Sequence, residues 1–262
     1  MKSKHFKRFL IPFGIGLAMI SHSHGKSLWP IYELQRLHPP HVALWRGDVH
    51  RRQVALTFDD GPDPRYTPRV MNVLDHYHVK GTFFLVGKHV KEHPELAQQI
   101  VNDGHAIGNH GWSHQDLRLL NPEQVHREIA DTGDAIQSAT GLRPTLFRAP
   151  YGMVTRPIMD EAKRQGYSVV QWSFSPKDWT RPSSDKIIRR VVKNTKNGSI
   201  ILLHDSSPTG QENREATIAA LPQLIEALRS EGFELVTISE LMRPAPPKIQ
   251  YAKGAAPRPS HG

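Results

Sequence analysis

Short apolar runs separated by longer stretches of mixed polarity set the rhythm of this 262-residue chain. Seven such runs stand out: Val54 to Phe58, Thr82 to Val86, Ala106 to Gly108, Leu146 to Arg148, Ser168 to Trp172, Ser199 to Leu203 and Phe233 to Thr237. Their length, and the turn residues that bound them, predict short strands. Between them, helix-like patterns cover Thr67 to Tyr77, Glu95 to Asp103, Pro122 to Thr140, Arg156 to Gln165, Ser184 to Asn194 and Glu215 to Glu231. Asn121-Pro122 supplies a capping side chain followed by a proline suited to a first helical turn. Strand and helix alternate throughout, which implies a parallel sheet. About seven such units predict a single α/β domain built as a distorted (β/α) barrel, with an open doubly wound sheet as the competing arrangement. In both arrangements ligands bind where the carboxyl ends of the strands meet the loops that follow.

The ends of the chain depart from this pattern. Met1 to Arg8 is basic, Phe9 to Ile20 is apolar and Ser21-His22-Ser23 follows, the order of a secretory signal. The apolar stretch falls short of the roughly 20 residues that span a bilayer comfortably, and it contains Pro12. Residues 1–25 therefore read as a signal peptide, with an uncleaved membrane anchor as the alternative. The product is expected outside the cytoplasm: periplasmic, wall-associated or secreted. Residues 26–52 carry Pro30, Pro39 and Pro40 with little periodicity and read as an irregular lead-in. The catalytic domain is expected over 53–242, and 243–262, rich in Pro, Gly and Lys, as a disordered tail.

Composition narrows the chemistry. The chain has no cysteine, which excludes disulfides, thiolate nucleophiles and thiolate-bound metal. Any metal must sit on histidine and carboxylate, and sixteen histidines are available. A formal charge of +9 favours contact with a polyanion, whether nucleic acid, an anionic membrane or an acidic wall polymer. No GxxxxGK[ST] or GxGxxG loop occurs to hold a nucleotide.

Polar residues at the predicted strand ends carry the functional signal. The first run ends in Thr57-Phe58-Asp59-Asp60-Gly61-Pro62, where adjacent carboxylates could divide metal binding from proton transfer, although Asp-Gly-Pro is also ordinary turn chemistry. The third run leads into His110-Gly-Trp-Ser-His114, two imidazoles four residues apart. Such a pair can grip a metal, but with sixteen histidines about one such spacing arises by chance. His89 and His93 share the spacing without an accompanying acid pair, and read as the start of a surface helix. The fourth run ends in Arg148-Ala-Pro-Tyr151-Gly152, either a rigid turn aimed into a cleft or a plain Pro-Gly turn. Asp178-Trp179 follows the fifth run, and His204 closes the sixth. Each has a structural explanation taken alone, such as a satisfied core histidine for His204. Their joint placement at strand ends does not.

These residues resemble the five motifs of the polysaccharide deacetylase family, carbohydrate esterase family four, also called the chitooligosaccharide deacetylase homology domain. The resemblance runs in order from about Val54 to Met242. The family's T-F-D-D-G-P and R-x-P-Y-G motifs are matched fully. The H-(S/T)-x-x-H motif departs at Gly111, which replaces the family's usual small hydroxyl residue and with it a supporting hydrogen bond. Ser175 stands where the family often has a further Asp, and Ile201 to His204 differs from L-x-L-H only in apolar identity. The resemblance implies that Asp60, His110 and His114 ligate a divalent metal, usually zinc, with cobalt or a similar ion also accepted. It further implies that Asp59 is the general base held by Arg148, that His204 is the general acid oriented by Asp178, and that the Tyr151 amide helps to stabilise an oxyanion.

The expected reaction is hydrolysis of an acetamide on an amino-sugar polysaccharide: a metal polarises the carbonyl, a base activates water and an acid protonates the departing amine. Peptidoglycan, chitin oligomers and poly-N-acetylglucosamine all fit as the acetylated polysaccharide. Competing readings are an O-acetyl esterase on a glycan such as xylan, a small-molecule amidase, and a wall-binding module without activity. The export signal speaks against the amidase, and the complete acid–base set against the module. Nucleic acid is not expected as a partner, because no recognition helix, zinc finger or aromatic RNA motif accompanies the charge. A membrane tether through the N-terminal segment is expected only if the signal stays uncleaved.

Overall fold

A computed structural model describes residues 43–244. The expectations for the signal segment 1–25, for the first part of the lead-in up to residue 42, and for the tail beyond Pro244 lie outside the described residues.

All seven expected strands are present: β1 Gln53–Asp59, β2 Thr82–Leu85, β3 Ala106–Asn109, β4 Leu146–Phe147, β5 Ser168–Val169, β6 Ile200–His204 and β7 Glu234–Leu235. The helices are α1 Thr67–His76, α2 Gly87–Glu92, α3 Pro94–Asn102, α4 Pro122–Thr140, α5 Arg156–Arg164, α6 Ser184–Asn194, α7 Glu215–Ser230 and α8 Ile238–Leu241. Helix α4 opens with the full reciprocal cap, Asn121 with Gln124, and closes on left-handed Gly141. Helix α2 was not expected as a separate element. It precedes the helix expected over Glu95 to Asp103: His93 leaves helical geometry and Pro94 starts α3.

Every strand pairing is parallel, and the sheet runs β5-β4-β3-β2-β1-β6, with β7 pairing with the first residues of β1. The sheet curls into a distorted barrel. Its seam is closed partly by the end of the lead-in. Leu44 bridges in parallel to Val170, Arg46 pairs antiparallel with Ser199, and Ala43 and Trp45 are buried. Residues 43–52 are irregular, yet 43–46 pack as a stave of the barrel, so residues ahead of Gln53 belong to the packed unit. Further round, Phe174 bridges to Ile201.

The period-two alternation of the strands sorts the core into layers. Leu56, Phe58, Phe83, Leu85, Ile201 and Leu203 face the helical shell together with apolar residues of α1 and α7. Ala55, Phe84, Leu146, Ile200 and Leu202 pack instead with Val170, Trp172 and Val236 in the lumen. Continuing the lumen-facing series two residues past Ala55-Thr57 and Ile200-Leu202 brings Asp59 and His204 to the same interior, at the carboxyl end. The two are register partners across β1 and β6.

Candidate active site

Asp59 and Asp60 both reach the catalytic end despite being neighbours in a strand. Alternation would point them to opposite faces, but Asp60 has φ 79°, a left-handed conformation that turns the chain at the strand end. The turn is held on both sides: His89 Nδ1 contacts the Asp60 carbonyl at 2.7 Å, and the Val86 amide donates to the Gly61 carbonyl at 2.9 Å. Gly61 passes so close to Asp205 that a Cβ would lie 2.4 Å from its Oδ2, so no larger residue fits there without movement.

His110 follows β3 directly. Its Nδ1 donates to the Arg148 carbonyl at 2.7 Å, which fixes the ring and turns Nε2 towards the aspartates. Nε2 of His110 lies 3.5 Å and Nε2 of His114 3.1 Å from the same oxygen, Asp60 Oδ1. All three residues are buried, and their candidate ligand atoms lie within 4.8 Å of one another. Asp60 Oδ1 has no hydrogen-bond partner of its own. A ring nitrogen and a carboxylate oxygen come this close only with a proton or a cation between them, and the mixed nitrogen and oxygen donors fit a divalent metal. Burial alone would raise the Asp60 carboxyl. Contact with the His110 and His114 rings reverses this and holds it well below the usual carboxylate range.

Arg148 is fully buried and fixes the other aspartate. Its Nη1 donates to Asp59 Oδ1 at 2.6 Å and to Thr57 Oγ1 at 2.8 Å, and Nη2 donates to the Gln171 carbonyl at 3.0 Å. The guanidinium sits 4.0 Å from the centre of the Phe84 ring. Burial lowers the Arg148 pKa, and the charge and hydrogen bond of Asp59 oppose that fall. Asp59 Oδ2 lies 3.7 Å from His110 Nε2, at the edge of the metal group. The Tyr151 ring stands edge-on to His114 with centroids 4.6 Å apart, which brings the Pro150–Gly152 turn beside the same group.

At the end of β6, beside β1, Asp178 grips His204 twice, accepting from its backbone amide and meeting Nδ1, each at 2.9 Å. Thr217 of α7 donates to the same carboxylate at 3.1 Å. Burial lowers the His204 pKa, but the charge and hydrogen bond of Asp178, with Asp60 and Asp59 beyond, outweigh it and raise the imidazole to about 9. His204 is therefore charged near neutrality. The Trp179 ring packs edge-on against it at 5.3 Å.

The comparisons with known proteins agree with this geometry. A family model described as polysaccharide deacetylase matches residues 46–170. A peptidoglycan-N-acetylglucosamine deacetylase of Bacillus cereus is 38% identical over 80% of this chain and 97% of its own length. A chitooligosaccharide deacetylase of Bradyrhizobium sp. is 41% identical over 74% of this chain and 93% of its own. The chain belongs to the polysaccharide deacetylase family. Among solved structures, the Bc1960 peptidoglycan N-acetylglucosamine deacetylase, in complex with 4-naphthalen-1-yl-N-oxidanyl-benzamide, superimposes with a TM-score of 0.74 at 32% identity, covering 81% of this chain and 96% of that one.

The deacetylase fold brings together all eight residues singled out in the sequence: Asp59, Asp60, His110, His114, Arg148, Tyr151, Asp178 and His204. It keeps His89 and His93 apart from them as ligands, since neither joins the metal group. His89 is more than a surface residue, however, because it anchors the Asp60 carbonyl. Ser175, the departure in the fourth motif, is buried, donates to the Leu202 carbonyl and accepts from the Lys177 amide, so it braces the turn into Asp178. Supporting residues that the motifs do not mark are Gln171, Thr217 and Glu128. The last two lie on buried helix stripes, at positions where the pattern otherwise calls for apolar or small side chains.

Proposed function

We propose that this chain is a metal-dependent polysaccharide N-deacetylase that removes acetyl groups from N-acetylglucosamine units of peptidoglycan or chitooligosaccharides and releases acetate. One observation carries the reading: a buried Asp60–His110–His114 set fit for a cation shares the carboxyl end of the sheet with a carboxylate held by a buried arginine and a histidine held charged by its own aspartate. Asp60, His110 and His114 would hold the ion, and their mixed nitrogen and oxygen donors suit zinc. When bound, the ion supplies Lewis acidity, polarising the acetamide carbonyl and acidifying a water at the site.

The chain's own groups divide the proton transfers. Arg148 occupies Asp59 Oδ1 and leaves Oδ2 to take the proton that the attacking water loses. The Tyr151 amide, in the turn beside His114, stabilises the carbonyl oxygen as it gains charge. Collapse of the tetrahedral species must expel an amine, a poor leaving group unless protonated. His204, charged and with Nδ1 committed to Asp178, delivers a proton from Nε2 to that nitrogen. A net charge of +9 and the basic-apolar N-terminal segment support a site of action at an anionic envelope polymer outside the cytoplasm, with a tether if that segment is retained.

The deciding assay measures acetate and free amine together on peptidoglycan, chitin oligomers and poly-N-acetylglucosamine. Equimolar acetate and amine on at least one polymer is the expected result. Acetate released only from O-acetylated glycans, with no new amine, would replace this reading by an ester hydrolase. No acetate from any of them by the metal-loaded protein would leave a binding module.

A further inference from the structure

The loop that carries both metal-binding histidines is held from outside the known motifs. Between His110 and His114, the Gly111 amide donates to Asn109 Oδ1 at 2.9 Å, while the Trp112 and Ser113 amides both donate to one oxygen of Glu128, at 2.8 and 2.9 Å. The Ser113 hydroxyl donates to the other Glu128 oxygen at 2.5 Å. Successive backbone N–H groups thus form a concave nest filled by a carboxylate from α4. Glu128 is buried, although it belongs to a residue type that rarely is.

Two further facts connect this clamp to the histidines. His110 is oriented by its own Nδ1 contact to Arg148. His114 is not: its Nδ1 is buried with no hydrogen-bond partner, and its backbone is left-handed at φ 57°. Its ring position therefore depends on the backbone of 111–113 and on the flanking Tyr151 ring. Gly111 stands where the family has a hydroxyl residue, and it adopts φ 77°. A Cβ there would lie 3.3 Å from Glu128 Oε2, tighter than an ordinary contact.

We propose that Glu128 is a positioning residue of the metal centre: by accepting three hydrogen bonds from Trp112 and Ser113, it holds the loop in the conformation that keeps His114, and with it the ligand set, at metal-binding distance. It touches neither metal nor substrate. The inference rests on the metal-site reading given above, and zinc affinity separates the two.

The experiment measures the zinc dissociation constant of the metal-stripped full chain by competition with a chromophoric chelator, for the wild type, Glu128→Ala, Glu128→Gln and Ser113→Ala. Glu128→Ala should weaken zinc binding about 10- to 100-fold, as loss of an outer support of a metal ligand does. The isosteric Gln can accept both amides on its carbonyl oxygen and donate to the Ser113 hydroxyl, so Glu128→Gln should stay within about threefold of the wild type. Ser113→Ala removes one contact of three and should weaken binding about fivefold. A folded Glu128→Ala that binds zinc like the wild type overturns the proposal, and would leave Glu128 with a role in fold stability alone. If that variant does not fold, an unchanged affinity in Ser113→Ala overturns it instead. Glu128→Gln as weak as Glu128→Ala would show that charge acts, not the hydrogen-bonded loop, and would also overturn it. A wild type that binds no zinc would sink the metal-site reading itself.

Discussion

Asp178→Asn tests the assignment of His204 as general acid more sharply than removal of the histidine, because it alters one charge and preserves the shape. Asp178 is the chief cause holding the imidazole at about 9 against burial, with Asp60 and Asp59 contributing beyond it. Neutralising it should lower the His204 pKa by about 1–3 units, the usual effect of losing an adjacent opposite charge. A fall of about 2 units would take the protonated fraction at about pH 8 from about nine-tenths to about one-tenth, while at about pH 6 it stays near nine-tenths. The ratio of wild-type to variant kcat should therefore grow about tenfold between those two pH values. A bound divalent ion lowers the imidazole in both proteins, so the difference between the profiles is the quantity read. The assay is acetate release from a defined N-acetylglucosamine oligomer, with metal content verified for each protein. Profiles that differ only by a vertical offset, with the basic limb at the same pH, would refute the reasoning.

The same shift has a thermodynamic face in the metal-free protein. His204 moves from about 6.5 unfolded to about 9 folded, worth about 3 kcal/mol at most. Because the folded pKa is raised, that contribution is fully present below about pH 6.5 and is lost as the pH rises through about 9. Urea unfolding of the metal-free wild type should show this slope between those limits, and Asp178→Asn should flatten it.

Three further outcomes are expected. Asp59→Asn should retain metal and lose most activity, whereas Asp60→Asn should lose both; the reverse pattern in elemental analysis would exchange their roles. Arg148→Met leaves the Asp59 carboxylate buried without its partner and should cost about 3–5 kcal/mol in urea unfolding, and adding Asp59→Asn should recover part of that loss. His204→Ala should fold, keep metal and lower kcat about 10²- to 10⁴-fold on the amide, yet suffer much less on an activated ester whose leaving group needs no proton. Equal losses on both substrates would remove His204 from the acid role.

How far the sequence shows this site follows from periodicity. Seven strands and the end that carries the site were legible because most of the apolar runs stop at a polar residue, and parallel strands all stop at the same end. The stave at Leu44 was not, since a few residues after two prolines carry no repeat that a period could reveal. Helix α2 is six residues long, too short for a helical period to register. Whether Asp59-Asp60 was a turn or a ligand pair was likewise undecidable from types alone; the answer lies in one backbone angle, φ 79° at Asp60. Glu128 did leave a trace. It interrupts the buried stripe Val125, Ile129, Thr132 and Ile136 of α4, where a carboxylate survives only if donors meet it.

The backbone itself shows where the fold trades stability for geometry. Among the described residues, left-handed non-glycine conformations occur at Asp60, His78, His114, Tyr151, Lys177 and Arg181. Asp60 and His114 belong to the metal group, Tyr151 packs on His114, and Lys177 and Arg181 bracket the single turn that carries Asp178. Only His78 lies elsewhere. Each such residue costs of order 1–3 kcal/mol and persists only when its surroundings over-determine it. Those surroundings are on hand: His89 holds the Asp60 carbonyl, Glu128 holds the loop before His114, and Ser175 braces the approach to Asp178. The two reversals around Asp178 let one carboxylate reach the amide and the ring of His204 together, which an uninterrupted helix could not arrange from its first residue. Supports of this kind lie on the helices and loops around the barrel. Asp59 and His204, the proposed base and acid, close strands β1 and β6 above the packed lumen. Loss of a support should therefore loosen one ligand or one proton carrier at a time and leave the sheet intact.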